Sequence, residues 1–175
     1  YRDWLLQKRR LAQPGTYTWT WIQTHLPDWY LQYVSAKDVQ TKMDEPSGPH
    51  PEQIRLLTYA AIGAGCKGIG FWSDKFLADS HGGRDRLLAL ALLNQELQLL
   101  EPILVETEEP TWVDTSLPDV KAAILRSDKG ILVLPMWMGK GTQFVPPQGS
   151  ATELSIIIPQ APVGCQAWEV TPGQV

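Results

Sequence analysis

Two short segments of this 175-residue chain carry strand-like patterns, and each lies between segments that repeat at the helical period. Residues 16–24 alternate and are rich in β-branched and aromatic types, which marks a strand. Residues 67–73, Lys-Gly-Ile-Gly-Phe-Trp-Ser, read as a short buried strand. Ahead of the first, Trp4, Leu5 and Leu11 recur at helical spacing, and Pro14-Gly15 ends that helix. Between the two strands, Pro51 and Glu52 open a helix whose apolar face is Ile54, Leu57, Ala61 and Ala64, with Gly65 suited to the C′ position. After the second, residues 84–100 form the clearest helix. Leu87, Leu88, Leu92 and Leu99 leave it apolar almost all round its middle, so substantial burial is expected. Strands alternating with helices imply parallel βα units and an α/β class.

Beyond Pro102 the pattern changes. Residues 120–126, 131–138, 153–158 and 166–170 are short strand candidates separated by Asp128-Lys129-Gly130, Gly139-Lys140-Gly141 and proline-rich turns. They predict an all-β, antiparallel, sandwich-like domain over residues 112–175, truncated at its end, behind an α/β domain over residues 1–105. Bulk composition agrees with packed domains: 43% of residues are hydrophobic and 19% charged, which excludes a disordered chain. A net charge of −4 with no basic cluster beyond Lys8-Arg9-Arg10 argues against nucleic acid as the main partner. No run of 18 apolar residues occurs, so no membrane span is expected. Cys66 and Cys165 fall in different predicted domains and are expected to be free and buried rather than a disulfide or a metal pair.

Eight tryptophans occur, and Trp19, Trp21 and Trp29 lie within eleven positions. Flat indoles suit the C–H faces of a pyranose, and they equally suit a core. Strand alternation puts Tyr17, Trp19, Trp21, Gln23 and His25 on one face of the first strand, and Gly68, Gly70, Trp72 and Asp74 on one face of the second. Bulky rings beside glycines are complementary in volume. Both faces are therefore expected to point into a shared interior, with Ile69 and Phe71 packing outward on helices. Gln23, His25, Trp72 and Asp74 would line its mouth.

These residues carry a resemblance. His50-Pro51-Glu52-Gln53-Ile54-Arg55 through Ala64-Gly65-Cys66-Lys67-Gly68-Ile69-Gly70-Phe71-Trp72 resembles the closing βα units of glycoside hydrolase-like (β/α)8 barrels. The W-x-W-x-Q of Trp19, Trp21 and Gln23 resembles the preceding strand. Leu92-Leu93-Asn94-Gln95-Glu96-Leu97 resembles a last helix leading to a trailing β-sandwich. The resemblance implies the C-terminal part of a TIM-type barrel, with the remaining strands supplied by the rest of the same polypeptide. It also implies a carbohydrate substrate, no cofactor and an extracellular or periplasmic location. The parent would be a glycoside hydrolase acting on a poly- or oligosaccharide, and this stretch by itself would be inactive. The alternatives are a non-catalytic carbohydrate-binding protein and a pseudoenzyme scaffold.

Under this reading Trp19, Trp21, Gln23 and Trp72 bind substrate, and Asp74 and His25 are the catalytic candidates. Glycosidases need two carboxyl groups across the scissile bond. Gln23 stands where many such barrels carry a glutamate, and it cannot be a nucleophile. Asp74 beside Trp72 could have its pKa raised by desolvation, or could cap a turn. His25 could exchange a proton, donate a hydrogen bond to a sugar, or be structural. Gly63-Ala64-Gly65-Cys66-Lys67-Gly68 matches G-x-G-x-x-G but follows a helix and opens a strand, the reverse of a dinucleotide fingerprint. No residues have metal-ligand spacing.

Overall fold

The structure is a computed structural model and describes residues 1–25, Trp29, Gln32, 48–72, Leu77, 81–139 and 153–170, apart from the side chains of His81 and Gly82. It is a mixed α/β chain with two small sheets. The elements are α1 (Arg2–Leu11), β1 (Trp19–Gln23), α2 (Pro51–Gly63), β2 (Gly68–Trp72), α3 (His81–Glu106), β3 (Thr111–Asp114), β4 (Val120–Ser127) and β5 (Gly130–Trp137). The chain divides into two compact units, Tyr1–Leu93 and Asn94–Val175, with the divide inside α3.

In the first unit β1 and β2 pair in parallel, an arrangement that needs a crossover such as the one α2 provides. Thr18 O extends the pairing by accepting from Lys67 N at 2.8 Å. Helix α2 packs on β1 and α1 packs on α2. The core between them is Leu5, Ile22, Ile54, Ala61, Ala64 and Cys66, all buried. Local chemistry sets the ends of α2. Pro51 occupies the first turn, and Gln53 Oε1 accepts from the His50 N–H at 2.8 Å. Gly65 follows the helix at φ +86°, which a glycine adopts without a Cβ penalty. Arg9 then reaches across from α1 and donates from Nη1 to Ala64 O at 2.9 Å, satisfying a carbonyl that the helix end leaves free.

The barrel expectation is corrected here. Among the described residues the parallel sheet has two strands, and two strands do not close around an interior. The tryptophan and glycine faces do lie side by side, but they look outward. Trp19 is 52% and Trp21 56% exposed, while Ile22 on the opposite face is fully buried under α2. The apolar demand of α2 and α1 is met by the β-branched face of β1, and that leaves the indoles in the open.

The second unit holds the antiparallel sheet, in the order β3–β4–β5. β4 and β5 form a hairpin in which Ser127 pairs with Gly130 across Asp128-Lys129. Ala122, Ala123, Ile124 and Leu125 are buried in succession, so both faces of β4 are covered. β3, which the sequence pattern did not suggest, pairs Trp112 with Ala123. The sandwich expectation is also corrected. Residues 153–158 contribute one bridge, Thr115 to Ile156, and residues 166–170 pair with no strand among the described residues. Pro159 and Pro162 interrupt this stretch and carry no N–H for a ladder, and Trp168 and Val163 are exposed.

Helix α3 buries a stripe through Arg86, Leu90, Leu93, Glu96 and Leu100, while Leu87, Leu88, Leu92 and Leu99 stand exposed. Its leucines are thus amphipathically divided instead of buried all round. By length and composition alone, Gly83–Glu106 is apolar enough to cross a membrane, a test that core helices of soluble proteins also pass.

The cysteines separate cleanly, Cys66 buried and Cys165 exposed, both free. Burial raises the Cys66 thiol pKa against the opposing pull of Arg9. Burial also raises the Tyr1 phenol, against its hydrogen bond to Thr20 and with a smaller contribution from Cys66. Both groups are acids held neutral in the folded state. Their contribution to stability is complete below the unfolded pKa values, about 8.5 for the thiol and about 10 for the phenol, and is lost as pH climbs from there through the raised folded values. Urea midpoints are expected to fall between pH 7 and pH 10, and to fall less in Cys66→Ala. With a thiol reagent at neutral pH, Cys165 is expected to label rapidly and Cys66 only on unfolding.

Candidate functional site

The outward face of the β1–β2 sheet is built by register. Trp19 stands opposite Gly68, Trp21 opposite Gly70 and Gln23 opposite Trp72. Alternation along both strands therefore places three indoles and two glycines on one surface. The glycines are seats. A Cβ on Gly70 would lie 2.5 Å from Trp21 Cζ3 and 2.6 Å from Cε3, so the ring rests directly on the Gly70 backbone. A Cβ on Gly68 would lie 2.5 Å from Tyr17 Oη and 2.9 Å from Trp19 Cβ. The Tyr17 hydroxyl donates to Lys67 O at 3.0 Å, which anchors that ring at the same place. Trp19 and Trp21 meet edge to face, with centroids 5.2 Å apart and planes at 69°. Tyr17, Trp19, Gly68, Ile69 and Gly70 line an open depression of about 440 Å³.

At the carboxyl end of the strands the side chains are tied to backbone. Trp72 O accepts from Thr24 Oγ1 at 2.5 Å, and His25 Nδ1 lies 3.3 Å from the same carbonyl, an acceptor when Nδ1 carries the proton. The His25 ring meets Trp72 edge to face at 5.5 Å and is buried. Gln23 Nε2 donates to His25 O at 2.8 Å. This network ties Gln23, Thr24 and His25 to one another and to Trp72 at the strand end.

The structure thus brings Trp19, Trp21, Gln23 and Trp72 together on one face, with His25 folded beneath Trp72. Asp74 lies outside the described residues. The residues lining the depression carry no carboxylate. Among the described residues no group of three or more His, Cys, Asp or Glu could hold a metal ion.

One residue near this strand end drew no notice in the sequence. Arg86, in the second turn of α3, is 6% exposed, and its Nε and Nη2 atoms are buried with no hydrogen-bond partner among the described residues. The signal was present in the helical spacing, because Arg86 stands in register with Leu90 and Leu93 on the buried stripe.

No family model matches the chain, and neither the curated proteins nor the solved structures compared with it include a match. The resemblance to glycoside hydrolase-like barrels is therefore overturned on two grounds: no barrel protein aligns with the chain, and the described parallel sheet is a two-stranded one. The P-E-x-I-R and A-G-x-K-G patterns record a local helix-to-strand transition. A proline start, a glycine stop and a thin strand satisfy that transition in any parallel βα unit.

Proposed function

We propose that the outward face of the β1–β2 sheet is a carbohydrate-binding platform without catalytic machinery of its own. The observation that carries this reading is the seating of Trp21 on Gly70. An indole lying on bare backbone is held at a defined height and tilt, with more than half of its surface left to solvent. Tyr17 and Trp19 extend the apolar floor, and Gln23 places an amide at one end. A pyranose offers C–H groups on one face and hydroxyls around its rim. It needs a flat apolar surface with polar groups at the margin, and this arrangement provides one. Hydrolysis of a glycosidic bond calls for two placed carboxyl groups, and the described residues of the lining contain none.

Intrinsic fluorescence tests the proposal directly. Titration with a panel of oligosaccharides is expected to shift or quench the tryptophan emission for at least one member. Trp21→Ala is expected to weaken that binding by roughly tenfold or more, the equivalent of about 1.4 kcal/mol for a lost ring contact. A flat response across neutral and acidic glycans would remove the sugar reading and leave the indoles as a patch for a macromolecular partner.

A further inference from the structure

A second chemical feature lies at the carboxyl end of the same strands, and it does not depend on the sugar-platform reading. The guanidinium of Arg86 is packed against backbone: a Cβ on Gly48 would lie 3.1 Å from its Cζ, 3.2 Å from its Nη1 and 3.1 Å from Thr24 O. Gly48 thus leaves room for the cation beside the residue that follows β1, with Cζ and Nη1 nearest the position a Cβ would take. Nε and Nη2 form the opposite edge of the planar group. They are the two atoms that lack hydrogen-bond partners among the described residues, and both are shielded from water. The neighbouring Asp85 attracts the charge without bonding either atom, and burial works against the charged form.

A buried cation with two orphan donors is expensive, because those donors forfeit hydration without a hydrogen bond to replace it. The two free donors are also not an arbitrary pair. Nε–H and the adjacent Nη2–H run parallel in one plane, spaced to receive both oxygens of a single carboxylate. Their position, past the carboxyl end of a parallel strand pair, is where open α/β sheets hold ligands.

We infer that Arg86 is a carboxylate receptor, gripping a carboxylate-bearing ligand side-on through Nε and Nη2 at the end of β1. The ligand's negative charge adds to the attraction of Asp85, and its two oxygens satisfy the two donors in a dry site, where charge-assisted bonds are strongest. A lysine cannot substitute, because a point charge lacks the parallel fork.

The test uses the whole chain, with sodium acetate and sodium glucuronate as probes, sodium chloride at matched ionic strength as the control and inorganic phosphate as the competing oxyanion. The melting midpoint is expected to rise with carboxylate concentration above the chloride baseline. In Arg86→Lys the apparent affinity is expected to fall at least tenfold. In Arg86→Met the carboxylate response is expected to vanish, while the midpoint in chloride alone rises because an unpaired buried charge has been removed. Trp21→Ala, on the platform, is expected to keep the acetate response, so failure of the sugar reading and failure of this one are distinguishable. The inference is overturned if carboxylates stabilise the wild-type chain no more than chloride does, if Arg86→Met retains the response, or if phosphate outcompetes both carboxylates.

Discussion

Ile22→Ala is expected to destabilise the first unit by about 2–5 kcal/mol, the usual cost of emptying a well-packed isoleucine site. Ile22 is fully buried at the centre of β1, on the face that α2 covers, with Ile54 of α2 almost as completely enclosed. The site has little freedom to collapse. β1 is held by its parallel register with β2, and α2 is tied at its C-terminal end by Arg9. Removing three carbons therefore leaves a hole as well as a transfer loss. Because whole domains are stable by only about 5–15 kcal/mol, a substantial fraction of the folded population is at stake. Urea denaturation followed by tryptophan emission measures the effect. A loss below about 0.5 kcal/mol would mean that this face of β1 is not the buried one.

Gly70→Val tests the other face of the same sheet and should separate binding from stability. A valine Cβ at position 70 would stand 2.5 Å from the Trp21 ring, closer than real contacts allow, so the indole must leave its seat. Overpacking in a closed core costs about 1–3 kcal/mol. Here the cost is smaller, because Trp21 is more than half exposed and can swing into solvent, and because valine favours the strand conformation. The expected outcome is a change in stability under about 1 kcal/mol together with at least a tenfold loss of saccharide affinity. Gly70→Ala should show the same split in weaker form. Retention of wild-type binding by Gly70→Val would show that the seated ring is not the contact surface.

Both experiments turn on one fact about β1, that its two faces have opposite fates. Period-two patterning in the sequence separated Trp19, Trp21 and Gln23 from Thr20 and Ile22, and the structure preserves that separation. What the pattern lacked was a sign. The indole face and the β-branched face are both apolar, so alternation alone could not say which would be covered. Volume complementarity between the indoles and Gly68 and Gly70 proved real, but it describes rings lying over a sheet as well as it describes rings filling a barrel. Helix α3 shows the same limit. Its leucines looked continuous in the sequence, and only the tertiary structure divides them into a buried stripe at Leu90, Leu93 and Leu100 and an exposed set at Leu87, Leu88, Leu92 and Leu99.

Local chemistry was legible wherever a single residue settles a backbone choice. Pro51 starting α2, Gly65 ending it with a positive φ, and the Asp128-Lys129-Gly130 turn between β4 and β5 all follow from conformational preferences that need no distant partner. The antiparallel character of residues 120–137 was legible for the same reason, since a short turn leaves a hairpin as the only compact solution. The last strands were overread at residues 153–170, where β-like composition met a single bridge and two prolines in place of a ladder.

The sequence by itself determined the approximate places of α1, β1, α2, β2, α3 and the β4–β5 hairpin, that the β1–β2 pair is parallel, and which side chains share a strand face. Tertiary structure alone decided which face meets solvent, that the Nε and Nη2 atoms of Arg86 find no hydrogen-bond partner among the described residues, and that the tryptophans form an open surface. The physical reason is that backbone preferences act over a few residues. Burial is a competition between whole faces for the same covering helix, and its outcome depends on residues far apart in the chain.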